Sequence, residues 1–288
     1  MSSCSDKNDF NETPDICWVI ALKSEAIPII SQFKLSLLSN ELLFPIYKNQ
    51  KIKHALVISG IGQINAAAAT AYLASQCNAE KWTAWVNVGI AGYSEGSIGE
   101  IFQAIKVTNL ATSKSYFPGY RLTNIVPFSD LQTLNEPSVN YKHKTLYDME
   151  GAAFSEVASR ISCNELTYVL KVVSDTPSSL HSRVDKIMAQ KLVEKKLGSI
   201  SIILKKITEL VDEEKERLRL PSEVEKIFER NHFSATRKKQ FIQKYRMLKA
   251  FFPQNAIRKI LGHAKNAKDI IKEMDNALHS IPINRILK

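Results

Sequence analysis

The chain has 288 residues, 44% of them hydrophobic and 24% charged, so it can bury a sizeable core and is neither disordered nor fibrous in composition. No apolar run approaches the roughly 18 residues of a membrane span, and residues 1–10 are too polar for a secretory signal. The cysteines Cys4, Cys17, Cys77 and Cys163 are too few and too scattered for a disulfide scaffold or a zinc site. We therefore expect a reduced, cytoplasmic protein.

The formal net charge of +10 is unevenly distributed along the chain. Residues 1–180 contain 14 Lys and Arg against 16 Asp and Glu, whereas residues 181–288 contain 25 against 13. This asymmetry indicates that the C-terminal third is a separate segment with a role of its own.

The first two thirds of the chain alternate buried strands with helices. Continuous apolar runs predict strands at 16–22, 54–59, 83–88, 100–108 and 167–173. Periodic segments predict helices at 65–75 and 148–162. Short glycine turns follow the second and third strands, at Gly60–Gly62 and Gly89–Gly92. The alternation predicts an α/β fold, a three-layer sandwich around a mixed, mostly parallel central sheet.

No strand pattern follows position 181. Helical periodicity covers 184–216, and further helices are predicted from Ser222, over 234–251 and over 266–278. We therefore expect a loosely ordered N-terminus at 1–14, an α/β domain at 15–212, and an all-α, basic extension at 213–288.

Candidate functional residues follow the predicted strands, because open parallel sheets bind ligands beyond the carboxyl ends of their strands. Glu25 follows the first strand, and Ser174-Asp175 follows the last. The two glycine turns occupy the corresponding places after the second and third strands. Glu150, at the start of a predicted helix, is a further candidate.

Five stretches then occur in an order that is typical of one protein family. They are Ala21-Leu22-Lys23-Ser24-Glu25, Ser59-Gly60-Ile61-Gly62-Gln63-Ile64-Asn65-Ala66, Asn87-Val88-Gly89-Ile90-Ala91-Gly92, Asp148-Met149-Glu150-Gly151-Ala152-Ala153 and Lys171-Val172-Val173-Ser174-Asp175. With these stretches, roughly residues 15–212 resemble the nucleoside phosphorylase/nucleosidase superfamily, especially the 5′-methylthioadenosine/S-adenosylhomocysteine nucleosidases.

This resemblance implies cleavage of the N-glycosidic bond of a purine nucleoside. The ribosyl group passes through an oxocarbenium-like state, so the leaving base needs a proton. By the family pattern, Asp175 protonates the purine at N7 and Ser174 orients it. In the hydrolases of the family, a carboxylate at the position of Glu25 activates the attacking water.

The same resemblance assigns the substrate contacts. Met149 and Glu150 hold the ribose, Glu150 through hydrogen bonds to its hydroxyls. Gly60, Ala91 and Gly92 are further expected contacts of the substrate. The resemblance implies a homodimer and no metal or organic cofactor.

Two departures from the family pattern concern the same pocket. Ile90 stands where the family usually has Ser or Thr, and the segment at 109–146 is short. That segment normally contacts the base, and Phe117, Tyr120, Phe128 or the stretch at 131–133 are the candidates to replace those contacts.

Hydrolysis and phosphorolysis are both open on the sequence. A phosphorylase needs cations around its phosphate, and Arg is the usual choice, yet residues 1–120 contain no Arg. Lys23 and Lys106 are the remaining candidates for that role. Together with Glu25, this favours water as the nucleophile and leaves phosphorylase as the alternative.

Simpler readings exist for single residues. Glu25 fits an exposed first-turn helix position, and Asp175 fits a cap for the turn at Pro177. The glycines fit turns that need no ligand. A degenerate nucleoside-binding module, without catalysis, is the non-enzymatic alternative.

The basic segment at 231–288 also has two readings. Its Lys and Arg side chains are interleaved with Phe241, Tyr245, Phe251 and Phe252, a pattern compatible with contacts to nucleic acid or to a protein partner. The alternative is a solvated helix face whose apolar side packs on the main domain.

Overall fold

A computed structural model describes residues 12–39, 42–137, 141, 143–179, 184–262 and 266–281. Most of the predicted loose N-terminus, 1–14, lies outside the described residues. The chain divides into two compact units, Met1–Leu218 and Arg219–Lys288. In the described part of the chain, no helix is long and apolar enough to cross a bilayer.

The first unit contains one ten-stranded sheet with helices on both faces. Its strands are β1 (Ile16–Ile20), β2 (Ser36–Leu37), β3 (Ile46–Asn49), β4 (His54–Ile58), β5 (Ala84–Tyr93), β6 (Ile101–Asn109), β7 (Ser115–Tyr116), β8 (Phe128–Thr133), β9 (Leu146–Asp148) and β10 (Thr167–Asp175). Its helices are α1 (Lys23–Gln32), α2 (Gln63–Gln76), α3 (Gly151–Ile161), α4 (Lys186–Glu194) and α5 (Leu197–Leu218), with a short 3₁₀ turn at Asn164–Leu166.

The four strands that carry the sequence motifs lie side by side and parallel. β1 pairs with β4 on one edge and with β5 on the other, and β5 pairs in turn with β10. Each of these strands is buried along nearly its whole length, as strands covered on both faces must be. Their carboxyl ends therefore meet at one edge of the sheet.

The sheet is mixed, as predicted, and part of it closes on itself. The pairings between described strands divide evenly, five parallel and five antiparallel. The strands β5, β10, β6, β8 and β9 close into a ring. β5 allows this because it runs beyond its pairing with β1, which ends at Asn87, and then pairs with β9 at Gly92 and Tyr93.

The core lies on the two faces of this sheet. Alternate residues of β1 point to opposite sides, with Ile16, Trp18 and Ile20 on the side of α1, α4 and α5, and Cys17 and Val19 on the side of α2 and α3. This confirms the layers of helix, sheet and helix that the sequence predicts.

Helix bounds in the C-terminal third differ from prediction in two places. The periodic segment at 184–216 is two helices, α4 and α5, separated at Lys195–Lys196, and α5 continues to Leu218, past the expected domain boundary at 212. The second unit contains α6 (Ser222–Arg230), α7 (Ala235–Phe251), α8 (Gln254–Gly262) and α9 (Ala267–His279), of which α8 was not predicted.

The second unit has a small core of its own. Its fully buried residues are Val224, Phe241, Tyr245, Leu248, Ile257, Ile270 and Met274. Phe241 and Tyr245 are therefore core residues and do not face a nucleic acid, contrary to the reading in which they alternate with basic contacts.

Candidate functional site

A cavity of about 410 Å³ opens at the carboxyl ends of the parallel strands. The candidate residues among its lining are Glu25, Ala91, Gly92, Met149, Glu150, Ser174 and Asp175. Gly60 is not part of the wall, and its neighbour Ile61 takes that place. The structure thus gathers around one cavity seven of the eight residues that the sequence proposes.

Glu25 sits in the first turn of α1, but it is buried, contrary to the simpler reading of an exposed helix residue. Its Oε2 accepts a hydrogen bond from the Leu22 amide and its Oε1 one from the Ile90 amide, both at 2.9 Å. Burial raises the pKa of the Glu25 carboxyl, against the opposing effects of the Ile90 amide and the Lys171 ammonium. A carboxylate with a raised pKa suits a general base.

Beneath the cavity, the side chain of Lys171 is enclosed with three carboxylates. Its Nζ lies 2.9 Å from Asp148 Oδ2. Burial by itself would lower the pKa of the Lys171 ammonium, but the negative charges of Asp148, Glu150 and Glu25 raise it above its usual value. The lysine therefore stays charged and offsets part of the negative charge of the site.

Asp148 is fixed by two further donors. Thr133 Oγ1 donates to its Oδ1 at 2.7 Å, and the Gly151 amide donates to its Oδ2 at 2.8 Å. The second bond satisfies a free amide at the start of α3, as a capping side chain does. Asp148 thus orients the first turn of α3, next to Glu150.

Glu150 joins α3 to the glycine turn after β4. Its Oε1 accepts a hydrogen bond from the Gly62 amide at 2.7 Å. Gly62 has a φ of 99°, a conformation that side-chain-bearing residues rarely adopt, so glycine is needed there to aim the amide at Glu150. Burial and the neighbouring charge of Asp148 raise the pKa of Glu150 to about 7.

Asp175 lies at the end of β10, opposite Gly92 of β5, after an irregularity in the strand register at Ser174. Ser174 Oγ donates to Asp175 Oδ1 at 2.5 Å and lies 3.2 Å from the Ala91 carbonyl. Tyr141 Oη donates to Asp175 Oδ2. Both carboxylate oxygens of Asp175 therefore accept hydroxyl hydrogen bonds, and the simpler reading as a turn cap does not account for this arrangement.

Tyr141 is the residue that sequence reasoning missed. It lines the cavity with Tyr147, and the two rings are 4.9 Å apart at 30°. Of the residues proposed to replace the base contacts, none lines the cavity: Phe117 is 64% exposed and Tyr120 54% exposed, away from the site. Thr133, in the proposed stretch at 131–133, instead donates a hydrogen bond to Asp148.

The cavity wall is acidic. It includes Glu25, Glu136, Asp148, Glu150 and Asp175, and none of its described lining residues is Lys or Arg. Neither Lys23 nor Lys106, the candidate phosphate ligands, is part of it. Within the described ranges, no group of three or more His, Cys, Asp or Glu is arranged to hold a metal ion.

Comparison with solved structures identifies the architecture. The 5′-methylthioadenosine/S-adenosylhomocysteine nucleosidase of Helicobacter pylori aligns over 67% of this chain and 99% of its own, with a TM-score of 0.55 and 13% identity. The 5′-methylthioadenosine nucleosidase of Arabidopsis thaliana aligns over 68% and 97%, with a TM-score of 0.54 and 19% identity. This chain has the nucleosidase fold.

Other proteins share this nucleosidase fold. The futalosine hydrolase of Helicobacter pylori aligns over 67% of this chain and 98% of its own, with a TM-score of 0.55 and 13% identity. About a third of the chain lies outside each alignment, which is consistent with a helical extension added to the nucleosidase fold. No protein-family model and no curated protein matches the chain by sequence.

Proposed function

We propose that this protein is a nucleosidase that hydrolyses the N-glycosidic bond of a purine nucleoside resembling methylthioadenosine or adenosylhomocysteine. The observation that carries the proposal is the meeting of Glu25, Glu150 and Asp175, far apart in sequence, around one cavity. The nucleosidase fold supports it, because the Helicobacter pylori structure holds a nucleoside analogue, butyl-thio-DADMe-Immucillin-A.

Each carboxylate has a role in this proposal. Glu150 holds the ribose hydroxyls through its acceptor oxygens, beside Met149. Asp175, oriented by Ser174, supplies the proton that the leaving base requires, and Glu25 takes a proton from the attacking water. Ala91 and Gly92 form the wall against which the nucleoside lies.

The electrostatics of the wall also suit this reaction. Positive charge develops on the ribosyl group as the base leaves, and fixed negative groups stabilise such a charge in a site shielded from water. A phosphate nucleophile would instead meet the acidic side chains with no described cation on the wall. The wall therefore favours water over phosphate, and hydrolysis over phosphorolysis.

A nucleoside panel tests the proposal directly. The purified protein is incubated with purine nucleosides that differ in base and 5′ substituent, with and without phosphate, and the released base is measured. We expect release that is independent of phosphate. Release only with phosphate would establish a phosphorylase, and tight binding without release would establish a degenerate nucleoside-binding module.

We further propose that the protein is a cytoplasmic homodimer that acts in nucleoside salvage. Ile61, on the cavity wall, is 52% exposed, and Ile64, in the first turn of α2, is 86% exposed. A second copy that buried these side chains would remove apolar surface from water, which favours association. Sedimentation of the wild type and of Ile64→Lys tests this, with a monomeric variant expected.

The second unit supports a second candidate function, binding of a nucleic-acid backbone. Residues 230–268 contain eleven Lys and Arg and no Asp or Glu. In α7, Lys239 and Arg246 are exposed and seven residues apart, so they share a face, and at 100° per residue this face lies about 100–160° around the helix from the buried Phe241 and Tyr245. Lys244 and Arg258 of this stretch pair with Asp275 and Glu223, so Lys239 and Arg246 are the cations that we assign to a phosphate backbone.

Anisotropy of a labelled single-stranded oligonucleotide, titrated at several salt concentrations, tests this binding. Replacing Lys239 and Arg246 by Gln should weaken binding and reduce the salt slope by about 0.7 per charge. The control replaces Lys191 and Lys205, exposed lysines of the first unit, by Gln. Equal losses in both variants would reject the surface, and stronger binding to polyglutamate would assign it to an acidic protein.

A further inference from the structure

Each carboxylate oxygen of Asp175 already accepts a hydrogen bond from a protein hydroxyl. Ser174 occupies Oδ1, and Tyr141 occupies Oδ2. Ser174 is 3% exposed and is also close to the Ala91 carbonyl, so it is held within the sheet. Tyr141 is only half-buried and lies on the cavity wall. Of the two hydroxyls on Asp175, that of Tyr141 is therefore the more accessible to an incoming nucleoside.

The position of the Tyr141 hydroxyl is set from several sides. A side chain at Gly92 would overlap this hydroxyl, so the glycine leaves the space that the phenol oxygen fills. The ring packs against Tyr147, which is 7% exposed and fixed in β9. Few rotations remain for a ring held in this way, so the phenol is pre-positioned against Asp175.

A phenol oxygen can accept one proton while it gives up another. Burial and the adjacent Asp175 carboxylate raise the pKa of the Tyr141 hydroxyl, so it keeps its proton at neutral pH. Tyr141 Oη and Asp175 Oδ2 can share a hydrogen bond in two states. In one state Tyr141 donates to ionised Asp175, and in the other protonated Asp175 donates to Tyr141. No movement of either side chain is needed to exchange these two states.

We propose that Tyr141 is the catalytic residue that hands the proton to the leaving purine, with Asp175 as its source; this inference rests on the proposed nucleosidase function. As the C1′–N bond breaks, its electron pair stays with the base, which takes the Tyr141 proton. The phenol oxygen takes the Asp175 proton in the same step. Water adds its oxygen to C1′ and gives a proton to Glu25. Before the next cycle, Asp175 regains a proton from solvent and Glu25 releases one to it.

The test is Tyr141→Phe, which keeps the ring and its packing on Tyr147 but removes the relaying oxygen. We expect kcat for the best purine nucleoside of the panel to fall about 100- to 1,000-fold, the range of a lost general acid, with KM changed less than threefold. If Tyr141 only stacked on the base, the phenylalanine would preserve kcat. The matched control is Tyr116→Phe, which removes a hydroxyl that donates to Glu156 outside the cavity.

A second substrate separates proton delivery from positioning. 4-Nitrophenyl riboside has a leaving group that departs without protonation, so Tyr141→Phe and Asp175→Asn should cleave it within a fewfold of the wild-type rate. If Tyr141→Phe folds poorly by circular dichroism, Tyr141→Met, which also lacks the hydroxyl, should show the same pattern. Equal losses on both substrates would overturn the relay.

Different results would overturn the nucleosidase function and the Tyr141 relay. A folded wild-type protein that releases no base from any nucleoside overturns the proposed function and the relay together. An active wild type whose Tyr141→Phe variant keeps its full kcat overturns the relay alone and leaves the nucleosidase proposal in place.

Discussion

The ammonium of Lys171 and the carboxylate of Asp148 form an ion pair that is sealed from solvent. The two atoms are 2.9 Å apart, and neither side chain is more than 2% exposed. Glu25 and Glu150 add their negative charges to the same enclosed cluster. The buried ammonium of Lys171 thus balances three carboxylates that come from two separate parts of the chain.

Removal of this cation should cost much of the stability of the first unit. We expect Lys171→Met to lower the free energy of unfolding by about 3–5 kcal/mol, because Asp148 is left buried without its partner. Urea titration measures the loss. In the control, Lys206→Met removes an exposed ion pair with Glu209 and should have little effect. Similar midpoints for the two variants would contradict the role given to Lys171.

Glu25→Gln should separate chemistry from folding. The amide is a far weaker base than the carboxylate, so we expect kcat for the best nucleoside to fall about 100-fold or more. The NH₂ group of the glutamine also replaces one oxygen that accepts a backbone N–H, so one of the two hydrogen bonds to Leu22 and Ile90 is lost. The free energy of unfolding should fall by about 1–3 kcal/mol, which thermal unfolding will measure. Glu156→Gln, outside the cavity, is the control. A folded Glu25→Gln variant with full activity would leave Glu25 with only its capping role.

Substrate affinity should depend on the ionisation of Glu150. Its pKa is raised to about 7, and only the ionised form has all its acceptor sites for the ribose hydroxyls. We expect KM to fall by up to about tenfold as the pH rises from 6 to 8. In Glu150→Gln the KM should be higher and independent of pH over this range. A parallel pH response in wild type and variant would show that another group controls binding.

Stability at mildly acidic pH should depend on His54. This histidine is buried against Trp18 and Phe33, and burial lowers its pKa from 6.5 to about 4. Between these values the unfolded chain binds a proton that the folded protein does not, so stability is lost as the pH falls from 6.5 to 4. The expected loss is about 3 kcal/mol.

The comparison that isolates this effect is between the wild type and His54→Leu. The raised pKa of Glu150 acts in the opposite direction, since its contribution to stability is lost as the pH rises through 7. Both proteins share that contribution, so the difference between their urea midpoints should change with pH only through His54. The exposed His232 provides the control variant, His232→Leu, which should follow the wild type.

The central strands, and the residues that lie together at their carboxyl ends, could be predicted from the sequence. Buried parallel strands are continuous apolar runs, and parallel strands bring their carboxyl ends to one edge, so Glu25 and Asp175 could be placed together without a structure. The short strands β2, β3, β7 and β9 could not be found, because two to four residues give no reliable alternation. The ring closure depends on the pairing of β5 with β9, which no local pattern encodes.

Two other misses have local causes. The helix predicted over 234–251 ends just before Pro253, and a proline also favours the first turn of a helix, so α8, which begins at Gln254 directly after it, was not recognised. Tyr141 lies in a segment without periodicity, and its importance comes only from its contact with Asp175. The proximity of Tyr141 to Gly92 and Asp175 is a contact in space that the sequence alone does not predict.

The ring of strands also limits how copies of this chain can associate. Because β5, β10, β6, β8 and β9 pair with one another in a circle, the outermost strands of the sheet among those described are β2 and β7, each only two residues long. So short a rim offers few backbone groups to a neighbouring polypeptide. At these two short rims, assembly by strand addition, and the fibrous aggregation that follows from it, is therefore disfavoured.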